Sequence, residues 1–184
     1  MVYRLFVAIE LPPDLRRSLH RVGGDLKEGR RVPEEQLHLT LRFVGEADDD
    51  GFGRLVEELA KVRGVSFPLT VQGTGCFPSP QRARVVWAGT AEQPLLACLQ
   101  QEIELAVRRA GFAAEPKKFT AHLTLARLRE PAPSAVRSFL EGSASLALPS
   151  FTVDAFHLFS SRLSPKGATH RVERSFTLLN PAEL

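Results

Sequence analysis

Cysteine is scarce in this chain: two residues in 184 leave no disulfide framework and no thiolate cage for a metal. Cys76 falls in a loop-like segment and Cys98 in a helical one, without metal-type spacing, so both read as reduced thiols outside any chemistry. Long apolar runs are missing too. The stretch Leu5 to Ile9 is too short for the core of a secretory leader and far too short to cross a bilayer, and Glu10 and Pro12-Pro13 follow at once. It reads as a first strand, and the chain as cytoplasmic, with no membrane partner. There is no His-x-His, no His-Glu-x-x-His and no carboxylate cluster beside His38 or His122, which weakens any metal-hydrolase reading; the expectation is no metal and no cofactor. Without a heptad repeat or an interaction stripe, a monomer is the default. With 43% hydrophobic and 24% charged residues, the composition is that of a folded globular protein.

What the chain does have is a repeated word. His-Leu-Thr-Leu occurs at His38 to Leu41 and again at His122 to Leu125, each time inside an apolar run that reads as a strand. In an extended chain residues i and i+2 share a face, so His and Thr point one way and the two leucines the other, into a core. Two such pairs brought together offer two imidazoles able to exchange protons near neutral pH and two neutral hydroxyl donors for an anion. A phosphoester is the natural substrate for that set.

The surroundings repeat as well. Tyr3 to Ile9 reads as a strand, and Asp14 then caps a helix with Leu15, Leu19, Val22 and Leu26 at helical spacing. Gln36 to Val44 is the first His-x-Thr strand, Gly45 and the Asp48-Asp49-Asp50 run make a turn, Phe52 to Leu59 gives a second helix, and Val65 to Val71 a strand. The second half runs in the same order: strand Arg84 to Ala88, helix about Glu92 to Ala110, strand Phe119 to Leu125, short helix Ser134 to Leu140, strand Phe151 to Ser160. The histidines are 84 residues apart (122 less 38) and the leading strands about 80, which argues for internal duplication. A last strand, Arg171 to Leu179, has no counterpart and is expected to seal an edge. The loop Gly73 to Gln81 reads as the joint between pseudo-repeats of about 1–76 and 77–184. The expected fold is therefore α+β, with duplicated βαβαβ units forming two lobes, mainly antiparallel sheets and a central cleft. A pseudo-twofold axis relating the units would bring the histidines together.

Cleaving a cyclic phosphodiester in line needs a base for water on one side of phosphorus and an acid for the departing oxygen on the other, which two imidazoles supply. The hydroxyls of Thr40 and Thr124 can hold the non-bridging oxygens. Arginine would add positive charge, and here the copies differ: Arg42 lies four residues after His38, an even offset, whereas Arg127 lies five after His122. Regular alternation puts Arg42 on the histidine's face and Arg127 off it, unless a bulge near the end of the second strand turns Arg127 back. The net charge of +3 and pI near 9.2, with basic clusters at Lys27 to Arg31, Arg82 and Arg84, and Lys117-Lys118, are compatible with a polyanionic partner without demanding one.

The paired His-x-Thr motifs, the opening Arg4-Leu5-Phe6-Val7-Ala8-Ile9-Glu10-Leu11-Pro12, the stretches Leu37 to Gly45 and Phe119 to Arg127, and Phe156 to Ser161 followed by Gly167 together resemble the 2H phosphoesterase superfamily. Within it the match is to the RNA 2′,3′-cyclic phosphodiesterases of bacteria and archaea, formerly called 2′-5′ RNA ligases. The resemblance spans nearly the whole chain and implies a bilobal fold, a cleft between the lobes, and hydrolysis of a 2′,3′-cyclic phosphate on an RNA or nucleotide end to a 2′-phosphate. By resemblance, His38 is the proton donor to the leaving 3′-oxygen and His122 the proton acceptor that activates water. Thr40, Thr124 and Arg127 are phosphate-binding by the same resemblance.

Many relatives carry Tyr after the C-terminal Gly where this chain has Ala168-Thr169-His170, and His170 reads as structural. His157 reads as a packed or edge residue and His20 as solvated; Trp87 and Phe43 are either core or a stacking surface for a nucleobase. Two other functions stay open: an RNA-end binding module without turnover, and 2′-5′ joining of RNA as the main role.

Overall fold

The computed structural model describes residues 2–164 and 167–183. The first strand, β1 (Tyr3–Glu10), is followed by helix α1 (Pro13–Gly23), a two-residue strand β2 (Arg30–Arg31), β3 (His38–Ala47), helix α2 (Asp49–Leu59) and β4 (Phe67–Leu69). Then come β5 (Val71–Phe77), β6 (Val85–Thr90), helix α3 (Pro94–Arg109), β7 (His122–Arg127), helix α4 (Pro133–Gly142), β8 (Phe151–Val153), β9 (Ala155–Ser164) and β10 (Gly167–Thr177). The duplication is explicit: β1-α1-β3-α2-β4 and β6-α3-β7-α4-β8 have the same order, and each contains one His-x-Thr strand.

Two four-stranded antiparallel sheets form, in the orders β10-β9-β1-β3 and β2-β7-β6-β5. Strands β9, β1 and β3 thus stand in the same relation as β5, β6 and β7, with β10 added outside β9 and β2 outside β7. Neither sheet is made from one half of the chain alone. The C-terminal strands complete the first sheet, β2 crosses to the second, and β4 pairs with β8 in a small sheet joining the two repeats. The faces opposite the two motifs meet one continuous core that includes Leu39, Leu41, Leu123 and Leu125, none more than 2% exposed, with Leu19, Leu55 and Ile103 from the helices. Each such leucine contributes about 1.5–3 kcal/mol on burial, which fixes which face of each strand is left for the histidines.

Several boundaries differ from the sequence expectation. Glycines Gly73 and Gly75 read as a joint, yet they lie within β5: Gly73, at φ 68°, sits in a register shift between Val71 and Thr74, and Gly75 faces Trp87. A Cβ on Gly75 would come within 2.2 Å of the Trp87 ring, so this glycine makes room for an aromatic rather than a turn. Cys76 is accordingly a strand residue. The expected strand Phe151 to Ser160 is divided at Asp154, because β8 pairs with β4 while β9 pairs with β1. Gly45, expected in a turn, is a strand residue of β3 at φ 97°, and α1 ends before Leu26. β10 seals the edge of the first sheet and starts earlier than expected, at Gly167.

Candidate active site

Strands β3 and β7 share a defect at the same place. Thr40 stands opposite Ala8 and Arg42 opposite Val7, so Leu41 has no partner of its own. In the other sheet Thr124 stands opposite Trp87 and Ala126 opposite Val86, leaving Leu125 in the same position. Two residues against one make a bulge, and a bulge reverses alternation beyond it. Along β3, His38 and Thr40 are half-buried on one face, Leu41 and Arg42 are both buried, and Phe43 is exposed; along β7 the sequence His122, Thr124, Leu125, Ala126, Arg127 repeats that pattern position for position. The bulge therefore returns the fifth residue, not the fourth, to the histidine's face. Arg127 and Phe43 are equivalent, as are Ala126 and Arg42.

The outcome for the two arginines follows. Arg127 lines a cleft of about 690 Å³ together with His38, Thr40, His122 and Thr124. Arg42 does not: it is 6% exposed beneath the sheet, where its guanidinium donates to Glu104 of α3, to Glu115 at 3.4 Å, and to the carbonyls of Phe43 and Ala113. The expectation that placed Arg42 on the histidine's face assumed regular alternation, and the bulge at Leu41 removes that premise. Arg42 ties β3 to α3 and to the segment after it.

Both imidazoles are held in one way. His38 Nδ1 lies 2.7 Å from the Gln36 carbonyl and His122 Nδ1 lies 2.7 Å from the Thr120 carbonyl, in each case two residues back along the chain. A carbonyl only accepts, so Nδ1 carries the hydrogen and Nε2 is left as the atom that takes or gives a proton. Aromatic rings back each imidazole. Phe6 lies 4.9 Å from His38 and stacks on Phe159 at 5.0 Å, while Phe77 meets His122 edge-on at 5.1 Å with Trp87 at 6.2 Å. Packing on one side and a hydrogen bond on the other limit how each ring can turn.

Burial in this aromatic wall pushes the His38 pKa down to about 4; the Gln36 carbonyl opposes the shift, and the positive charges of His170, Arg127 and His122 add to it. His38 is thus a neutral imidazole at neutral pH before any anion arrives. His170, read from sequence as structural, does pack: its ring meets His38 edge-on at 5.3 Å and Phe6 at 4.9 Å. It also lines the cleft, and burial lowers its pKa as well. Its place in the cleft was not visible in the local sequence, because it depends on β10 reaching the first sheet. The neighbouring Ala168 carbonyl accepts from Gln36 Nε2 at 2.5 Å, which ties β10 to the segment leading into His38.

The remaining candidates separate clearly. Phe43 is 58% exposed and lines the cleft, so it is not core, whereas Trp87 is half-buried behind His122. His157 is a packed residue of the inner strand β9, half-buried with its Nδ1 2.9 Å from Ser175 Oγ, and His20 is half-buried against the Val32 carbonyl at 3.2 Å rather than solvated. Among the described residues no group of three or more His, Cys, Asp or Glu is gathered to hold a metal, and no helix is long and apolar enough to cross a membrane.

The fold and the paired motifs define a phosphoesterase of the two-histidine type. The model of the family described as LigT like Phosphoesterase matches residues 9–87 and 89–170, one His-x-Thr in each segment, and the chain belongs to that family. It is similar to the RNA 2′,3′-cyclic phosphodiesterase of Archaeoglobus fulgidus, 32% identical over 176 residues (94% of this chain, 99% of the relative), and to that of Thermus thermophilus, 35% identical over 190 residues (95% and 90%). Among solved structures it resembles LigT of E. coli in complex with 3′-AMP, with a TM-score of 0.78 and 26% identity over 97% of this chain and 99% of that one.

Proposed function

We propose that this enzyme hydrolyses the 2′,3′-cyclic phosphate of RNA or nucleotide ends to a 2′-phosphate. The observation that carries the reading is the matched pair of imidazoles, each fixed through Nδ1 by a carbonyl two residues back, on strands that line one cleft with both threonines and one arginine. Similarity to proteins named RNA 2′,3′-cyclic phosphodiesterase supports the substrate class.

In this reaction His122 Nε2 takes a proton from the attacking water and His38 Nε2 gives one to the departing 3′-oxygen, so the ring opens and the phosphate stays on the 2′-oxygen. Thr40 and Thr124 donate to the non-bridging oxygens, and Arg127 holds the charge that builds on them in the pentavalent stage. Each imidazole contributes on the order of 10² to 10⁴ in rate. Both histidines come from one polypeptide, so each chain carries a complete pair.

Incubation with a 2′,3′-cyclic nucleotide in excess chelator tests this directly: a 2′-phosphate is the expected product. Formation of the 3′-phosphate, or loss of activity with chelator, overturns the mechanism. His38→Asn and His122→Asn are each expected to lower kcat by about 10²- to 10⁴-fold, whereas a module that only binds RNA ends would show no turnover in the parent protein.

A further inference from the structure

His170 has the ring contacts of a packing residue, yet its nitrogens are left over. It comes from β10, the outer strand of the first sheet, and its ring meets Phe6 edge-on at 4.9 Å and His38 at 5.3 Å. Neither ring nitrogen has a hydrogen-bond partner among the described residues. Nδ1 is buried, so it is Nε2 that opens on the cleft the residue lines. A buried N–H without an acceptor is the costlier arrangement, which puts the hydrogen on Nε2 and leaves Nδ1 bare. Protonation would add that unpaired N–H, and burial accordingly holds the ring below its ordinary pKa. His170 therefore presents one neutral, unoccupied N–H to the cleft. A phenylalanine would pack against Phe6 as well without an orphaned nitrogen, so packing alone does not account for the imidazole.

Its side of the cleft follows from the strand order. β3 is the edge of the first sheet that adjoins β7, and β10 is the opposite edge, so His170 approaches His38 from the side away from His122, Thr124 and Arg127. In an in-line displacement water and the departing oxygen lie on opposite sides of phosphorus. With His122 serving the water, the departing 3′-oxygen and its sugar lie on the His38 side, towards β10. The second sheet has no counterpart: β5 takes the place of β9, and no described strand lies outside it. The imidazole lining the cleft beside the two motif histidines thus belongs to the acid side alone. The non-bridging oxygens are already served by Thr40, Thr124 and Arg127, whereas the departing oxygen has only His38.

We propose that His170 is a further catalytic residue, whose Nε2–H donates to the 3′-oxygen of the substrate as that oxygen leaves phosphorus. The inference rests on the phosphodiesterase reading above. The P–O3′ bond breaks, the oxygen takes the proton of His38 Nε2 on one lone pair and accepts the His170 hydrogen bond on the other, and His170 keeps its own proton. While the oxygen is still part of the cyclic ester it carries little charge and accepts weakly. The hydrogen bond strengthens as the P–O3′ bond lengthens, and so acts on kcat.

The test measures kcat and KM for a 2′,3′-cyclic nucleotide, with Tm, in the parent protein, H170F and H170Y. H170F keeps a ring beside Phe6 and His38 and removes the orphaned Nδ1, so its Tm is expected to equal or exceed that of the parent. Its kcat is expected to fall roughly tenfold at nearly constant KM, the value of one hydrogen bond made in the transition state. H170Y returns a neutral donor and is expected to recover most of the lost rate. Parent-like kcat in H170F, or equal loss in H170F and H170Y, overturns the proposal. Should H170F not fold, H170L, which also lacks a donor, takes its place in the comparison. If the parent hydrolyses no cyclic nucleotide, the activity reading fails by itself, and the contact is judged by binding, since the product keeps the oxygen as a 3′-hydroxyl. The preference for adenosine 2′-phosphate over 3′-deoxyadenosine 2′-phosphate is then compared in the parent and H170F: a smaller preference in H170F sustains the contact, an unchanged one rejects it.

Discussion

In the proposed reaction His38 is the proton donor and must be protonated, whereas burial brings its pKa down to about 4 and leaves it a neutral imidazole in the free protein. The causes of the shift say how that is resolved. Burial disfavours the cation, and the charges of His170, Arg127 and His122 disfavour it further. A bound phosphodiester brings a negative charge into the same cleft, offsets those cations and favours the protonated ring. Substrate or product binding should therefore draw a proton from solvent. Calorimetric titration with a 2′-nucleotide at pH 6.5, in two buffers of different ionisation enthalpy, is expected to show net proton uptake that disappears in His38→Asn. Absence of uptake in the parent protein would leave His38 suited to the base and move the acid to His122. As proton donor, His38 is expected to set the alkaline limb of kcat, where activity is lost as the ring deprotonates in the complex, at a pH above its value of about 4 in the free enzyme.

At the scale of the strand, one bulge decides which arginine lines the cleft. Arg127→Ala is expected to lower kcat/KM by about 10- to 100-fold with little change in Tm, since the side chain is exposed. Arg42→Ala is expected to do the reverse: it leaves the carboxylates of Glu104 and Glu115 without their buried cation, costing about 3 kcal/mol and lowering Tm by roughly 6–12 °C. Differential scanning of both variants beside their kinetics separates the two roles. Gly75→Ala should destabilise by about 1–3 kcal/mol, because its methyl would meet the Trp87 ring. These residues also mark how far sequence patterning reaches. The order of strands and helices, the duplication and the shared face of His38 with Thr40 follow from period-2 and period-3.6 spacing, which is local. The position of Arg42 depends on a missing partner for Leu41 on β1, and the role of Gly75 depends on the ring opposite it on β6; such pairings between distant segments leave no mark in the spacing of either strand alone.

At the scale of the whole molecule, the exchange of strands between repeats couples the two halves. The first sheet needs β9 and β10 from the far end of the chain, the second needs β2 from the near end, and β4 with β8 bridges the repeats. The main core is correspondingly one cluster that draws on α1, α2 and α3 together, with Phe6, Ala8 and Phe159 forming a small second cluster on the histidine side of the first sheet. Unfolding should then be a single transition. Fluorescence of Trp87, the only tryptophan, reports the second sheet, while backbone circular dichroism reports both, so the two denaturation curves should coincide. Separate midpoints would mean that the repeats unfold independently despite their shared strands. The same transition carries the mark of the cleft histidines. The folded pKa of His38, about 4, lies below its unfolded value of 6.5, so between these values the unfolded chain binds more protons. Stability is therefore fully present above about pH 6.5 and falls as the pH drops towards 4; burial of His157 and His170 acts in the same direction. The contribution of His38 over that interval is about 3 kcal/mol at most. Replacing His38 by Asn, which has no proton to gain, should flatten the dependence of the denaturation midpoint on pH between 4 and 6.5 while leaving it a single transition. A slope unchanged by that substitution would show that the imidazole is better solvated than its place against Phe6 and Phe159 requires.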